Sequence, residues 1–203
     1  NSTKQTMERI NPLLGGSDPA NWASNNLIIR NGLDAQGSSI NGTPKAENSV
    51  AKPFTEIQTN YLVFDQDFTL TFLGSPYIMD GSIKVLEGAK LTIEPGVIIK
   101  FKGTYGQQPS LFTVEGELEA IGGEAQDQKI VFTSASAEPL AGAWDGVFFK
   151  ESADSKLENV IIQYAGKIYQ SCCFEFVSYT NGAVKIEGGQ VMIQNSVIEN
   201  SQS

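Results

Sequence analysis

Histidine is absent from the 203-residue sequence. This absence removes the commonest general base and the commonest transition-metal ligand in proteins. Long apolar runs are also absent, and none approaches the roughly 20 residues that a membrane-spanning helix needs. The sequence therefore excludes histidine-dependent chemistry and predicts that this chain has no membrane span.

Positive charge is scarce as well. Lysine and arginine number 14 against 23 aspartates and glutamates, which gives a net charge of −9. Nucleic acids and anionic membranes are bound by positively charged surfaces. The overall charge argues against both as partners, and we expect no nucleic acid to bind.

The two cysteines, Cys172 and Cys173, are adjacent. Neighbours across a trans peptide lie closer than the usual Cα separation of a disulfide. Two buried thiols are therefore favoured, while a strained vicinal disulfide and a crosslink between chains stay open. Two sulfurs without histidine make a poor metal site, so no metal is predicted here.

Residues 82–101 read SIKVLEGAKLTIEPGVIIKF. They contain three short apolar segments, at 82–85, 91–94 and 97–101. Each segment is rich in β-branched or large apolar residues, and the dipeptides EG and PG punctuate them. Strands this close together are typical of a chain that turns the same way each time. The stretch therefore predicts one three-stranded coil of a solenoid.

The pattern recurs downstream. Matched positions are 33 residues apart from Val114 to Val147, 37 from Val147 to Val184, and 36 from Asn159 to Asn195. These steps fall in the range of roughly 20 to 50 residues expected of solenoid repeats. Asn159 and Asn195 stand between short apolar segments, where Asn tolerates the left-handed backbone of a one-residue corner. In the first coil the PG dipeptide takes that place.

Alternate apolar side chains within each segment are expected to point inward. These inward pairs are Ile83 and Val85, Leu91 and Ile93, Phe112 and Val114, and Val184 and Ile186. Trp144 and Phe148 are expected to be core or corner residues rather than a platform for sugars.

The run SPYIMDGSIKVLEGAKLTIEPGVIIKF, residues 75–101, resembles the opening coil of secreted bacterial proteins with right-handed parallel β-helix repeats, the pectin-lyase-like architecture. Segments similar to the family's later strands follow in the family's order, at residues 111–122, 130–134, 144–148 and 157–166. The resemblance covers residues 68–203. It implies an all-β, right-handed parallel β-helix of about three to four coils, in a protein that is secreted or displayed on the cell surface.

Residues 1–52 differ from the rest and are predicted to form an N-terminal extension, with the β-helix domain at residues 53–203. Met7, Ile10, Leu13 and Leu14 form a rough helical stripe. One interpretation, which we favour, is a helical cap over the open end of the solenoid, because terminal repeats need capping. The other is the stem of a pilin-like subunit.

Two further stretches of the extension carry predictions. Residues 27–30 are predicted to form one short strand. Residues 34–52 are dominated by Gly, Ser, Asn, Pro and Ala, which indicates a mobile linker or long loop.

Insertions between the apolar segments are the predicted places for function, because solenoid insertions project from one face. They span residues 102–110, 134–143 and 167–181. Tyr105, Tyr169 and Tyr179 lie in them and are the candidate residues for stacking on carbohydrate. Scattered surface aromatics are also common without any ligand.

Asp65 and Asp67 are a candidate calcium pair, because calcium takes several oxygen ligands. A simple polar turn is the favoured interpretation, since nothing nearby completes an acidic loop. Calcium is thus an alternative, and no cofactor is the expectation.

Enzymes that share this fold need clustered carboxylates with a basic residue or calcium on one face. The candidates here are the carboxylates of Asp145, Glu151, Asp154 and Glu158 and the amines of Lys150, Lys156 and Lys185. Solvated charge is the usual reason for such residues, and a fold does not determine a function. We therefore expect no enzymatic activity.

The favoured function is a non-catalytic structural or adhesive surface module that presents loops on a β-solenoid. The first alternative is a pilin-like or filament-forming subunit that assembles through its N-terminal segment and open coil end. Residues predicted to take part in that assembly are Met7, Ile10, Leu13, Leu14, Val191, Ile193 and Val197. The second alternative is a carbohydrate-binding or polysaccharide-cleaving protein. The expected partners are further copies of the chain, other surface proteins, and glycans.

Overall fold

In the computed structural model the chain divides into two compact units, Asn1–Thr55 and Glu56–Ser203. The structure describes residues 5–11, 16–17, 19–52, 54–57, 61–103, 110–166, 169–170, 176–177 and 182–202, with the backbone alone at 169–170 and 176–177. Apart from short 3-10 turns at Pro19–Asn21, Phe72–Gly74 and Gln126–Gln128, the regular elements in these ranges are β-strands. The predicted all-β class is confirmed.

The first unit contains two short antiparallel strands, β1 (Met7–Arg9) and β2 (Trp22–Ser24). The helix predicted from the apolar stripe is therefore wrong where the structure describes that stripe, at residues 7–10. The strand is favoured because its middle residue, Glu8, is buried by polar partners from distant parts of the unit. An exposed Met7 beside a buried Glu8 is the reverse of the burial that the stripe predicted.

Polar residues form the buried centre of the first unit. They are Glu8, Asn11, Asn21, Asn25 and Thr43. Residues 34–52 contribute Thr43 and Ser49 to this centre through hydrogen bonds to Glu8. The strand predicted at residues 27–30 is absent, since the backbone bends there and Leu27 has a φ of 64°.

From Thr55 onward the described chain forms sixteen strands. They are β3 (Thr55–Ile57), β4 (Tyr61–Phe64), β5 (Phe68–Leu70), β6 (Tyr77–Met79), β7 (Ser82–Val85), β8 (Lys90–Ile93), β9 (Ile98–Phe101), β10 (Leu111–Val114), β11 (Glu117–Ile121), β12 (Ile130–Ser134), β13 (Gly146–Glu158), β14 (Val160–Gln163), β15 (Tyr169–Gln170), β16 (Phe176–Val177), β17 (Val184–Gln194) and β18 (Val197–Glu199).

Apart from β15 and β16, these strands stack in parallel along three faces. The first face runs β4, β7, β10 and the start of β13, and the second runs β5, β8, β11 and the end of β13. Strand β17 pairs with both parts of β13, while β3, β6, β9, β12, β14 and β18 make the third face. Successive strands of the chain visit successive faces, so the unit is a parallel β-helix. Its described strands complete five coils, beyond the three to four expected, because β4 and β5 join β6 in a first coil.

The predicted corners are confirmed. Asn159 and Asn195 have left-handed backbones, with φ of 53° and 48°, and Gly96 has a φ of 80°. The predicted step from Val147 to Val184 is also correct, but Val147 pairs with Phe112 rather than Val114. Both Phe112 and Val114 face inward, and a two-residue slip preserves that alternation, so the apolar pattern did not distinguish them.

The core lies inside the coils. Six of the predicted inward residues are fully buried, namely Ile83, Val85, Leu91, Ile93, Phe112 and Val114. Ile186 continues the column of the buried Phe149 by register, yet it is 50% exposed in the last described coil. Trp144 is buried as expected, and its ring stacks on Phe101 with centroids 4.2 Å apart.

Candidate functional site

Lysines and carboxylates pair across neighbouring coils on the outside of the β-helix. Lys84 on β7 lies 2.7 Å from Glu115, which follows β10 one coil later. Lys90 on β8 lies 2.9 Å from Glu117 and 2.7 Å from Glu119, both on β11. We call these five side chains the outer charge ladder.

The hydrogen bonds of the outer charge ladder favour the protonated form of its two lysines. The hydrogen bond to Glu119, with a second to Glu117, raises the pKa of Lys90 above its ordinary value, although burial opposes the rise. A hydrogen bond to Glu115 likewise raises the pKa of Lys84. These carboxylates therefore face fixed ammonium groups, an arrangement that holds coils together and keeps the lysines protonated.

Asp145 was a sequence candidate for catalysis, but the structure buries it completely. Its Oδ2 accepts a hydrogen bond from the backbone N–H of Ser110 at 2.7 Å, and its carbonyl oxygen accepts one from Gly166 at 3.0 Å. The neighbouring Trp144 donates its indole N–H to the carbonyl oxygen of Gln163 at 2.7 Å. This corner joins successive coils and offers no accessible carboxylate to a polysaccharide.

Other candidate carboxylates remain accessible. Glu151 and Asp154 are exposed, and Glu158 is half-buried. Asp154 and Lys156 border a shallow open depression between the last two coils, together with Gln190 and Met192. Lys185 lies over the ring of Phe148, 4.5 Å from its centroid, and pairs with Glu187 at 2.9 Å. The structure thus divides the predicted acids and bases: Lys150 and Glu151 border a second depression with Glu87 and Glu115, apart from Asp154 and Lys156.

The described side chains do not form a metal site of the usual kind. Within those ranges no group of three or more histidines, cysteines, aspartates or glutamates is placed to hold a metal ion. Asp67 Oδ1 accepts a hydrogen bond from the backbone N–H of Lys90 at 2.9 Å, which ties its turn to the next coil. Calcium at Asp65 and Asp67 stays a prediction that no observation tests.

The insertion at residues 167–181 contains strands β15 and β16, which pair antiparallel. Tyr169 lies in β15 and pairs by register with Val177, and only its backbone is described. Tyr105, Tyr179, Cys172 and Cys173 lie outside the described residues. Their predicted roles in carbohydrate or thiol chemistry stay predictions.

The residues predicted for assembly fall at two places. Met7 and Ile10 belong to the first unit, where Met7 is exposed, and Leu13 and Leu14 lie outside the described residues. Val191, Ile193 and Val197 belong to the last described coil. Ile193 pairs by register with the buried Leu157 but is itself exposed, as is Val197.

A polar cluster around Glu8 was not predicted from the sequence. Its carboxylate accepts hydrogen bonds from Asn25 Nδ2 at 2.8 Å, Thr43 Oγ at 2.8 Å and Ser49 Oγ at 2.6 Å. Burial alone would raise the pKa of Glu8, but these donors outweigh it and lower the pKa from 4.5 to about 2. Because these partners lie 17 to 41 residues away from Glu8 in the sequence, no local sequence pattern indicated the cluster.

Comparison with known proteins supports the fold of the second unit. A family model described as a pectate-lyase-like beta helix domain matches residues 63–169, slightly more than half of the chain. Protein bark beetle of Drosophila melanogaster is 35% identical over 105 residues, which cover 52% of this chain and 3% of that protein. No solved structure gives a significant match. The relative is an insect protein, and the bacterial origin implied by the sequence resemblance stays a prediction.

The share of the relative that is covered limits what it implies. The chain spans about 3% of the length of that curated protein, so the activity of the whole relative is not transferred. No helix in the described ranges has the length and apolarity to cross a bilayer.

Proposed function

The chain belongs to the family of pectate-lyase-like β-helix domains, and we propose that it is a non-catalytic structural or adhesive module on the cell exterior. In this proposal the stacked coils are a stiff support, and the insertion at residues 167–181 is the element that they display. The outer charge ladder is the observation that carries the proposal.

Polysaccharide cleavage needs a carboxylic acid or carboxylate directed at the sugar. In the outer charge ladder the carboxylates of Glu115, Glu117 and Glu119 are directed at lysines of the preceding coil. Asp145 is buried beneath the surface. This use of charge supports a role in holding coils together, and it disfavours chemistry on these faces.

The direction of its strands supports the proposal that the insertion at residues 167–181 is displayed. Strands β15 and β16 form an antiparallel pair of their own, while the coils on either side of them in sequence are built from parallel strands. The pair occurs in the chain between β14 and β17, so it does not extend a face of the β-helix. A separate ribbon on a rigid support suits recognition, because binding residues often lie on loops that a scaffold positions.

Replacement of residues 167–181 by a short Gly-Ser connection tests the proposal. We expect the free energy of unfolding of the coils to change little, and retention on a glycan array and on cell surfaces to be lost. The matched control replaces residues 136–141 of the described insertion in the same way and should keep binding. Retention of full binding without residues 167–181, or no binding by the native chain, would contradict an adhesive role.

Assembly into filaments is a second candidate, favoured by the last described coil. Ile186, Ile193 and Ile198 pair by register with the buried Phe149, Leu157 and Ile162, yet all three are exposed. Sedimentation velocity of the native chain and of Ile193→Asp tests this candidate. Concentration-dependent association that Ile193→Asp removes would support it, and a native chain that sediments as a monomer at all concentrations would contradict it.

A further inference from the structure

Three consecutive aliphatic side chains of the first unit project into solvent. Leu27, Ile28 and Ile29, which we call the aliphatic tip, are 40%, 84% and 54% exposed, and nearby Leu33 is 66% exposed. Single exposed apolar residues are ordinary, but contiguous ones mark sites of protein or membrane interaction. The tip is therefore a candidate contact surface.

Hydrogen bonds from two asparagine side chains hold the aliphatic tip in one conformation. Asn25 Oδ1 accepts a hydrogen bond from the backbone N–H of Leu27, and Asn26 Oδ1 accepts those of Ile28 and Ile29, at 2.8 to 2.9 Å. Asn25 Nδ2 donates to the carbonyl oxygen of Ile29 at 2.9 Å. Leu27 adopts a left-handed backbone with φ 64°, a conformation that costs a non-glycine residue energy and recurs at functional sites.

These hydrogen bonds suit a tip that enters an apolar environment. In water, exposed backbone N–H groups are satisfied by solvent, whereas in an apolar phase each unsatisfied group is costly. Three successive N–H groups of the tip already have partners within the loop. The tip can thus leave water without exposing bare backbone donors.

The base of the tip is anchored to the polar centre of the unit. Asn25 also donates to Glu8 at 2.8 Å, and Asn26 donates its backbone N–H to Ser49 Oγ at 2.9 Å and its Nδ2 to the carbonyl oxygen of Ser49 at 3.0 Å. A preorganised loop loses little conformational entropy on binding. The tip is consequently a rigid projection.

The charge of the first unit differs from the negative charge of the chain as a whole, which argued against an anionic membrane, and the composition of the tip favours lipid. Residues 1–55 contain 5 of the chain's 14 basic side chains and 4 of its 23 acidic side chains. The first unit therefore has a net charge of +1, whereas the whole chain has a net charge of −9. Between Asn25 and Leu33 the sole charged residue is the exposed Arg30. Aliphatic side chains partition readily into lipid, and a nearby arginine is attracted to anionic headgroups.

We propose that the aliphatic tip inserts into the interfacial region of a lipid bilayer containing anionic lipid, with Arg30 contacting the headgroups. The binding is weak and reversible, because a few aliphatic side chains bury less apolar area than one acyl anchor. It concerns the first unit, and it stands independently of the β-helix function proposed above.

Flotation of the full chain with vesicles tests this proposal. The probes are vesicles of phosphatidylcholine alone and of phosphatidylcholine mixed with phosphatidylserine. We expect the native chain to float with the mixed vesicles. The double variant Ile28→Ser/Ile29→Ser should bind them with an affinity lower by about tenfold or more. Arg30→Gln should lose about fivefold on mixed vesicles and nothing on neutral ones.

Two further variants make the result interpretable. Leu140→Ser removes an aliphatic side chain that is 78% exposed in the second unit, and its binding should equal that of the native chain. Ile28→Trp keeps the tip apolar, and its fluorescence should shift to the blue on mixed vesicles. No flotation of the native chain, equal flotation of the double serine variant, or self-association that depends on Ile28 without vesicle binding would each overturn the proposal.

Discussion

Replacement of Asn159 by alanine tests how the corners fix the coils. The residue has a φ of 53°, and its Nδ2 donates to the carbonyl oxygen of Gly122, one coil earlier, at 3.0 Å. Alanine loses this hydrogen bond, which contributes about 0.5–1.5 kcal/mol. It also keeps a left-handed backbone without a polar side chain, at about 1–2 kcal/mol. We expect Asn159→Ala to lower the free energy of unfolding by about 2–3 kcal/mol.

Asn159→Gly separates the two contributions. Glycine adopts the left-handed backbone without steric cost but makes no side-chain hydrogen bond. Its expected loss is therefore about 1 kcal/mol, from the hydrogen bond alone. Urea unfolding of both variants, followed by near-ultraviolet circular dichroism, measures the difference. Equal losses for alanine and glycine would refute the argument from corner geometry.

Three other substitutions test the polar centre, the core and the outer charge ladder. The pKa of Glu8 is lowered from 4.5 to about 2, so its carboxylate stabilises the folded first unit fully above pH 4.5. This contribution is lost as the pH falls toward 2. Glu8→Gln should therefore flatten the acid unfolding transition of the first unit, measured by NMR. Trp144→Ala should lower the free energy of unfolding by about 3–5 kcal/mol in urea titrations, because a fully buried, stacked ring is removed; a loss below 1 kcal/mol would show that Trp144 is not packed. Lys90→Met should cost about 1 kcal/mol or less, and less in high salt than in low salt, since the pair is partly exposed; an effect independent of salt would contradict the ion pairing.

The coils were predictable because their determinants are local. Apolar residues alternate with period two inside each strand, and Asn159, Asn195 and Gly96 mark the corners with residues that accept a left-handed backbone. Register was less predictable. The pairing of Val147 with Phe112 instead of Val114 keeps the same residues facing inward, so the apolar pattern does not distinguish the two registers.

The first unit was predicted poorly because its determinants are distant in sequence. Glu8 reaches Ser49 across 41 residues, so its burial in a strand left no periodic signal, and an incidental apolar stripe suggested a helix. The aliphatic tip did have a signal, since two asparagines before three aliphatic residues favour a side-chain-capped turn over a strand. The salt bridges of the outer charge ladder required the coil-to-coil register, which the sequence did not supply.

We propose that the outer faces of this β-helix have a structural role and cleave no polysaccharide. The most direct measurement incubates the whole chain with acidic and neutral polysaccharides in the presence of calcium and quantifies released oligosaccharides by mass spectrometry. The matched variants are Glu151→Gln and Asp154→Asn, which remove the exposed carboxylates beside the last coils. We predict no product above the protein-free blank for any of the three proteins. Product formed by the native chain and lost in Asp154→Asn would contradict this proposal and place cleavage at this surface.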